Sequence, residues 1–122
     1  VVLLGPAGLP GCATPGSRAD GSRAALLALS GDPAAVAWLG GAYLAAHPDE
    51  ADGDHLADGL LQAVAGELGR ADLAGIAPAE LADGLQRLVR SEYRRDEVVV
   101  VEHWLLSRSE ARLYALASLP GD

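Results

Sequence analysis

The sequence predicts a mainly α fold, a small bundle of four to five helices with one short extended segment or hairpin before the C-terminal helix. Three observations predict it. Apolar residues recur at helical spacing through most of the chain, as they do between Leu56 and Leu68. Prolines and capping residues mark the starts of several helices. The run of β-branched residues from Val98 to Val101 interrupts this pattern once, and such side chains suit a strand.

The composition limits the number of domains and the class of partner. A chain of 122 residues holds one domain at most. We assign residues 1–22 to a signal- or lipobox-like leader with a flexible tether, and residues 23–122 to a single helical domain. The formal net charge is -8, from 17 acidic and 9 basic residues. This charge disfavours nucleic acid and anionic membrane surfaces as partners.

The segment around Cys12 is similar to an export signal. Val1 to Leu4 is apolar, and Leu9-Pro10-Gly11-Cys12 resembles the lipobox of bacterial lipoproteins, in which the cysteine becomes the lipidated first residue after cleavage. Residues 13–22 are small and polar, as in a tether. We therefore expect a lipid anchor at Cys12 and a basic segment upstream of Val1. The alternative is an apolar leader in which the cysteine is incidental.

Two helices are predicted before residue 48. A short one covers Arg23 to Leu29. The second begins with Asp32-Pro33, because aspartate is a preferred N-cap and proline a preferred first helical residue, and it ends at His47-Pro48. Gly40 and Gly41 lie inside this helix, where each costs about 1 kcal/mol relative to alanine. We expect both glycines to face another helix or the valine strand closely.

Two longer helices are predicted next. The third has Asp54 as its N-cap and Gly69 as its C-terminal stop. Residues 70–77 form a connector with room for one turn of helix. Pro78 begins the fourth helix, whose apolar stripe runs to Tyr93. Acidic residues come early and basic residues late in this helix, as the helix dipole favours.

The C-terminal stretch joins the predicted strand to the last helix. We expect the valines to pair in a hairpin with residues 104–106, or with the edge of a partner, and alternate valines to bury one face. Ser107 and Glu110 form the S-x-x-E pattern of a capping box, which predicts the start of the last helix. Trp104 is expected to cover the end of the core, and the alternative is an interface anchor.

The acidic loop at residues 47–55 is a candidate metal site, because hard cations bind several oxygen ligands and this loop offers carboxylates and a glycine. Its spacing departs from that of an EF-hand, and a solvated loop whose Asp54 caps the next helix is the simpler interpretation.

His103 and Ser107 are candidates for a base and a nucleophile. The sequence has no G-x-S-x-G motif, however, and Ser107 already serves as a cap. We therefore predict no enzyme activity, no metal site and no cofactor.

Arginines form two candidate anion-binding clusters on this acidic chain. Arg108 and Arg112 lie one helical turn apart, and a second cluster lies in the fourth helix; guanidinium groups suit carboxylates and phosphates. The alternative, which we favour, is that the arginines form exposed ion pairs, each contributing about 0–1 kcal/mol. The second cluster comprises Arg87, Arg90, Arg94 and Arg95, and the acidic neighbours are Glu80, Asp83, Glu92 and Glu97.

Two segments together resemble an uncharacterised family of small exported bacterial proteins. Gly41 to Leu44, followed by Pro48 and Glu50, is similar to the family's G-x-Y-L-x-x-x-P-x-E motif. The run from Trp104 to Arg112 is similar to its C-terminal motif, W-x-L-S-x-S/T-E-A-R, with His103 in place of the usual preceding glycine and serine in place of the usual threonine. The resemblance implies export and a helical fold, and it implies no activity.

The expected function is that of a non-enzymatic exported accessory protein or small subunit. It docks on a larger protein of the bacterial envelope, either in the periplasm or held at the membrane only by a lipid anchor at Cys12. The alternative is a small-ligand or metal-binding module that uses the acidic loop or the arginine clusters. The sequence leaves the oligomeric state open. The candidates for a partner surface or for the core are Trp104, Arg108, Arg112, Gly40, Gly41 and Tyr43.

Overall fold

A bundle of five helices with one β-hairpin makes up residues 23–120, the part of the chain that this computed structural model describes. The elements are α1 at residues 23–27, α2 (Pro33–Ala46), a 3-10 turn (Pro48–Glu50), α3 (Gly53–Leu68), α4 (Pro78–Arg94), β1 (Val98–Val101), β2 (Trp104–Ser107) and α5 (Arg108–Ser118). The predicted fold class is therefore confirmed. The leader and tether predicted at residues 1–22 lie outside the described residues.

Most helix boundaries agree with the capping signals in the sequence. The Asp32 carboxylate accepts a hydrogen bond from the N–H of Ala34 at 3.2 Å, so α2 begins where the Asp-Pro pair predicts. Gly69 adopts a left-handed conformation with φ 69° and ends α3. Residues 70–77 hold a turn rather than a helix, and Pro78 begins α4.

The prediction that Asp54 caps α3 is wrong, because the helix begins at Gly53. Asp52 is the N-cap, and its Oδ1 accepts hydrogen bonds from the N–H groups of Asp54 at 3.1 Å and His55 at 3.3 Å. Its extended backbone, with φ -134°, is the conformation that an N-cap requires. Asp54 instead lies in the first turn, where its carboxylate is 3.5 Å from the guanidinium of Arg23.

The core lies around α5, which packs against α2, α3, α4 and both strands. Ala111 and Ala115 are fully buried, and their small side chains let neighbouring helices approach. Leu113 and Leu116 are also buried and widen the apolar face of α5. The other helices contribute Leu26, Leu39, Leu60, Val64, Leu81, Leu85 and Leu88 to the same core.

The two glycines of α2 have different environments. A Cβ built on Gly40 would overlap the backbone carbonyl of Tyr114 and lie 2.9 Å from the amide nitrogen of Ala115, so α2 and α5 meet backbone to backbone here. A Cβ built on Gly41 would meet no atom of the described residues within 4 Å. The expected close approach is therefore found at Gly40, and it is wrong for Gly41. Consecutive helical residues point about 100° apart, so one glycine faces α5 and the other faces solvent.

The hairpin pairs β1 with β2 in antiparallel register, with Val98 opposite Ser107 and Val101 opposite Trp104. This confirms the predicted pairing of the valines with the residues that follow. Val101 and Leu106 are buried and attach the hairpin to the core. Trp104 is 58% exposed, so the expectation that it covers the end of the core is wrong. Val101, which lies opposite the tryptophan, is the buried member of this pair.

A two-residue turn made of Glu102 and His103 joins the strands. Both residues have positive φ, 49° and 68°, which corresponds to the turn that matches the twist of a hairpin. Such turns favour asparagine and glycine, because a Cβ is strained in the left-handed region. His103 thus occupies a position for which glycine is better suited.

We predict that His103→Gly stabilises the protein. Relief of left-handed strain is worth about 1–2 kcal/mol, and the extra chain entropy of glycine offsets about 0.5–1 kcal/mol of it. Chemical denaturation should show a higher free energy of unfolding. His103→Ala removes the same imidazole but keeps a Cβ, so it should not reproduce the gain; equal gains for both variants would contradict the strain at this turn.

Candidate functional site

Large apolar side chains are concentrated on the hairpin surface, by which we mean Val100, Trp104 and Leu105. These are the three most exposed large apolar residues in the described part of the chain, at 70%, 58% and 55%. Val100 and Leu105 lie opposite each other in the register and therefore share the outer face of the hairpin. Trp104 lies opposite Val101 and therefore on the other face, at the turn end of the hairpin. The concentration of exposed apolar side chains on this one element makes it a candidate interaction surface.

The hairpin is held to the helices by polar contacts from α4 and α5. The hydroxyl of Tyr93 donates to the Glu110 carboxylate at 2.6 Å and lies 3.2 Å from the carbonyl oxygen of Leu105. Burial, together with the hydrogen bond to Glu110, raises the pKa of Tyr93 to about 12, so this hydroxyl remains a donor at neutral pH. The Ser107 N–H donates to the same carboxylate at 2.9 Å. The hairpin surface is thereby fixed relative to the bundle.

Side chains accept hydrogen bonds from the backbone N–H groups in the first turn of α5. Ser107 and Glu110 form the predicted capping box, with the Glu110 N–H donating to the serine hydroxyl at 3.1 Å. Glu92 of α4 is buried, and its carboxylate accepts hydrogen bonds from the N–H of Ser109 at 2.8 Å and from its hydroxyl at 2.7 Å. A carboxylate at a helix N-terminus is also favoured by the dipole. Glu92 therefore serves α5, and it forms no ion pair with an arginine of residues 23–120, in contrast to the expectation.

The two sequence candidates Tyr43 and Arg112 meet at Glu50, in what we call the Tyr43–Glu50–Arg112 cluster. The buried hydroxyl of Tyr43 lies 2.9 Å from each carboxylate oxygen of Glu50. The Nε of Arg112 donates to Glu50 Oε1 at 3.2 Å. Burial and then the hydrogen bond to Glu50 raise the pKa of Tyr43. The ring of His47 lies against that of Tyr43, with centroids 4.4 Å apart.

This cluster brings together the two segments on which the family resemblance rests. Tyr43 and Glu50 belong to the early segment, and Arg112 belongs to the late one. A partly buried carboxylate that accepts from both a phenol and a guanidinium links α2 and the 3-10 turn to α5. The sequence identified Tyr43 and Arg112 separately, and it pointed to Glu50 through the P-x-E spacing after α2 and as a carboxylate of the acidic loop. We interpret the cluster as a connection between elements.

The arginine candidates are partly occupied by ion pairs, as the favoured interpretation expects. Arg95 lies 3.1 Å from Glu97, and Arg87 lies 3.0 Å from Asp83. Arg108 makes no ion pair with the described residues and, together with Arg95 and Arg112, lines an open cavity of about 420 Å³. Glu67, Glu92 and Glu97 line the same cavity, so its wall presents both signs of charge.

The acidic loop does not assemble into a metal centre. Asp52 caps α3, Glu50 belongs to the Tyr43–Glu50–Arg112 cluster, and Asp54 faces Arg23. Between residues 23 and 120, no three His, Cys, Asp or Glu side chains form a group that could hold a metal ion. Ser107 is fully buried as a cap, and no hydrogen bond joins it to His103 within the same range.

The lipidation candidate Cys12 lies outside the described residues. No helix within residues 23–120 has both the length and the apolar character that a membrane span requires. Comparisons with protein-family models, with curated proteins and with solved structures found no match. The hairpin surface is the candidate functional site because its apolar side chains are exposed. Membership of the family that the sequence resembles stays a prediction.

We predict that Tyr43→Phe lowers the free energy of unfolding by about 1.5 kcal/mol, because it removes a buried hydrogen bond to a charged group. The matched control is Tyr114→Phe. Tyr114 is half-buried, and its hydroxyl makes no hydrogen bond to another described residue. Urea denaturation should therefore show a much smaller change for Tyr114→Phe. Similar losses in the two variants would contradict a stabilising role for the Tyr43 hydroxyl.

Proposed function

We propose that this chain is a non-enzymatic, exported accessory protein or small subunit that docks on a larger protein of the bacterial envelope through its hairpin surface. The observation that carries the proposal is the concentration of exposed apolar side chains at Val100, Trp104 and Leu105. Tryptophan is among the residues that most often dominate the energy of protein interfaces. Trp104 also lies on a hairpin that polar contacts hold in place, and a surface that is fixed before binding loses less conformational entropy when it binds.

The export part of the proposal rests on the sequence around Cys12. A lipobox-like segment followed by a small, polar tether places a folded domain at a distance from a membrane surface. A docking domain held in this way reaches an envelope partner at a raised effective concentration. The resemblance to small exported bacterial proteins supports the same location.

We predict that Trp104→Ala releases the protein from its envelope complex without unfolding it. Trp104 is more than half exposed, so its loss should change the melting temperature little. The matched control is Trp38→Ala, since Trp38 is 53% exposed but lies on α2. In detergent extracts of the native host, the wild type and Trp38→Ala should sediment as a complex larger than the free domain, and Trp104→Ala should sediment as the free domain.

Two results would count against docking through the hairpin. If the wild type sediments at the size of the free domain, no stable envelope complex exists. If Trp104→Ala remains in the complex, the complex forms through another surface.

We predict that Cys12→Ser in the full-length gene product moves the protein from the membrane fraction to the soluble fraction, because the acyl chains can no longer be attached. Fractionation followed by immunodetection measures this directly. Cys12→Ala is expected to behave in the same way. A gene product that stays in the cytoplasm would show that the Leu-Pro-Gly-Cys sequence is incidental.

A further inference from the structure

The alternation of hydrogen bonds along β1 determines which of its backbone groups point outward. A two-residue turn makes Val101 and Trp104 a hydrogen-bonded pair, and such pairs recur at every second residue of an antiparallel ladder. The Arg108 N–H donates to the Glu97 carbonyl at 3.1 Å, which continues this series. The N–H and C=O groups of Val98 and Val100 must therefore point away from β2.

The two outer edges of the hairpin differ. On β2, the outward carbonyl of Leu105 is covered by the Tyr93 hydroxyl at 3.2 Å and the outward N–H of Ser107 donates to Glu110. On β1, the outward groups of Val98 and Val100 have no hydrogen-bond partner within residues 23–120. Val100 is also 70% exposed. One edge of the hairpin is closed by side chains, and the other is open.

Strand β1 contains no lysine, proline or bulge, the sequence features that normally protect an edge strand, although α2 and α5 pack against it. Proteins shield such edges with lysine, proline, bulges or a covering segment. Strand β1 consists of four valines, and its register with β2 is continuous. An exposed, regular and apolar edge is the surface to which an extended peptide adds as a further strand, with main-chain hydrogen bonds giving affinity.

The charges beside β1 indicate what kind of strand fits there. Asp96 precedes the strand and Glu102 follows it; both are exposed, and neither forms an ion pair with another described residue. Glu97 is already paired with Arg95. A complementary strand therefore has an apolar centre and a basic residue at each end.

A second copy of this chain is a poor occupant of the edge. In an antiparallel pairing of two β1 strands centred on Val99, Asp96 of one copy lies opposite Glu102 of the other. Like charges directly opposite each other destabilise a strand pair. Each copy also carries a net charge of -8, which opposes association.

We propose that the partner in the proposed docking function adds a β-strand to the outer edge of β1. The added strand is an extended segment of another protein, apolar over the length of β1 and flanked by arginine or lysine. Its backbone bonds to the N–H and C=O groups of Val98 and Val100. Its side chains on the outer face extend the apolar surface of Val100 and Leu105. This inference rests on the proposed function and specifies how the docking surface is used.

The test uses the 122-residue chain and two synthetic peptides with the same centre of alternating valine and threonine. One peptide has two arginines at each end, and the other has two glutamates. Amide hydrogen exchange measured by NMR should slow at least about tenfold at Val98 and Val100 when the arginine peptide is bound, which corresponds to one added hydrogen bond per group. The glutamate peptide should bind at least about tenfold more weakly.

Val100→Pro is the decisive variant, because it removes an outward N–H without removing a bond of the β1–β2 ladder, and proline is tolerated at such edge positions. Val100→Thr is the matched control, since it keeps the N–H and a β-branched side chain. The arginine peptide should bind Val100→Thr normally and should lose at least about tenfold in affinity for Val100→Pro. If Val100→Pro does not fold, strand addition is tested by the amide hydrogen exchange of Val98 and Val100 in the wild type with the arginine peptide bound.

Two results would overturn strand addition: unchanged exchange at Val98 and Val100 with the peptide bound, or full binding of the peptide by folded Val100→Pro. The envelope complex separates this inference from the proposed function. If Trp104→Ala disrupts the complex and folded Val100→Pro does not, docking through the hairpin surface stands and strand addition is wrong. If the peptide binds at the edge but the wild type forms no envelope complex, the edge site stands and the envelope partner is wrong.

Discussion

The close approach of α2 to α5 at Gly40 is the constraint on which the rest of the structure depends. With no side chain at this position, the backbone of α2 lies against the carbonyl of Tyr114. This distance allows Tyr43, one turn further along α2, to be buried with its hydroxyl on Glu50, and it places Glu50 within reach of Arg112. A wider separation of the two helices would leave the partly buried Glu50 carboxylate without its guanidinium partner on α5, which is costly in a low-dielectric interior.

The position of α5 in turn fixes the hairpin. Glu92, Ser107 and Glu110 satisfy the first turn of α5, and Glu110 also accepts from Tyr93, which braces β2. The same carboxylate therefore belongs to the helix cap and to the support of the hairpin. One edge of the hairpin is closed by these contacts and its inner face is anchored in the core. The outer face, the edge of β1 and the exposed Trp104 at the turn end of the hairpin remain available to a partner.

The sequence predicted local features well and tertiary partners poorly. The capping box at Ser107, the Asp-Pro start of α2 and the valine strand depend on neighbours within a few residues, so the pattern alone contains the cause. Gly40 and Gly41 look alike in sequence, and only the rotation of α2 relative to α5 distinguishes them. Trp104 was expected in the core because of its size; the register places it on the same face as the buried Val101, but it lies beside the turn, at the end of the hairpin, and is exposed. The link from Glu50 to Arg112 crosses 62 positions, and no local signal predicts it.

Comparison of Gly40→Ala with Gly41→Ala by chemical denaturation tests the close packing of α2 against α5 most directly. Both substitutions have the same intrinsic helix preference, which favours alanine by about 1 kcal/mol. Gly41→Ala should therefore raise the free energy of unfolding by up to about 1 kcal/mol, since its Cβ meets no described atom. Gly40→Ala should lower it by about 1–3 kcal/mol, since its Cβ overlaps the Tyr114 carbonyl. Equal stabilisation by the two substitutions would contradict backbone-to-backbone contact at Gly40.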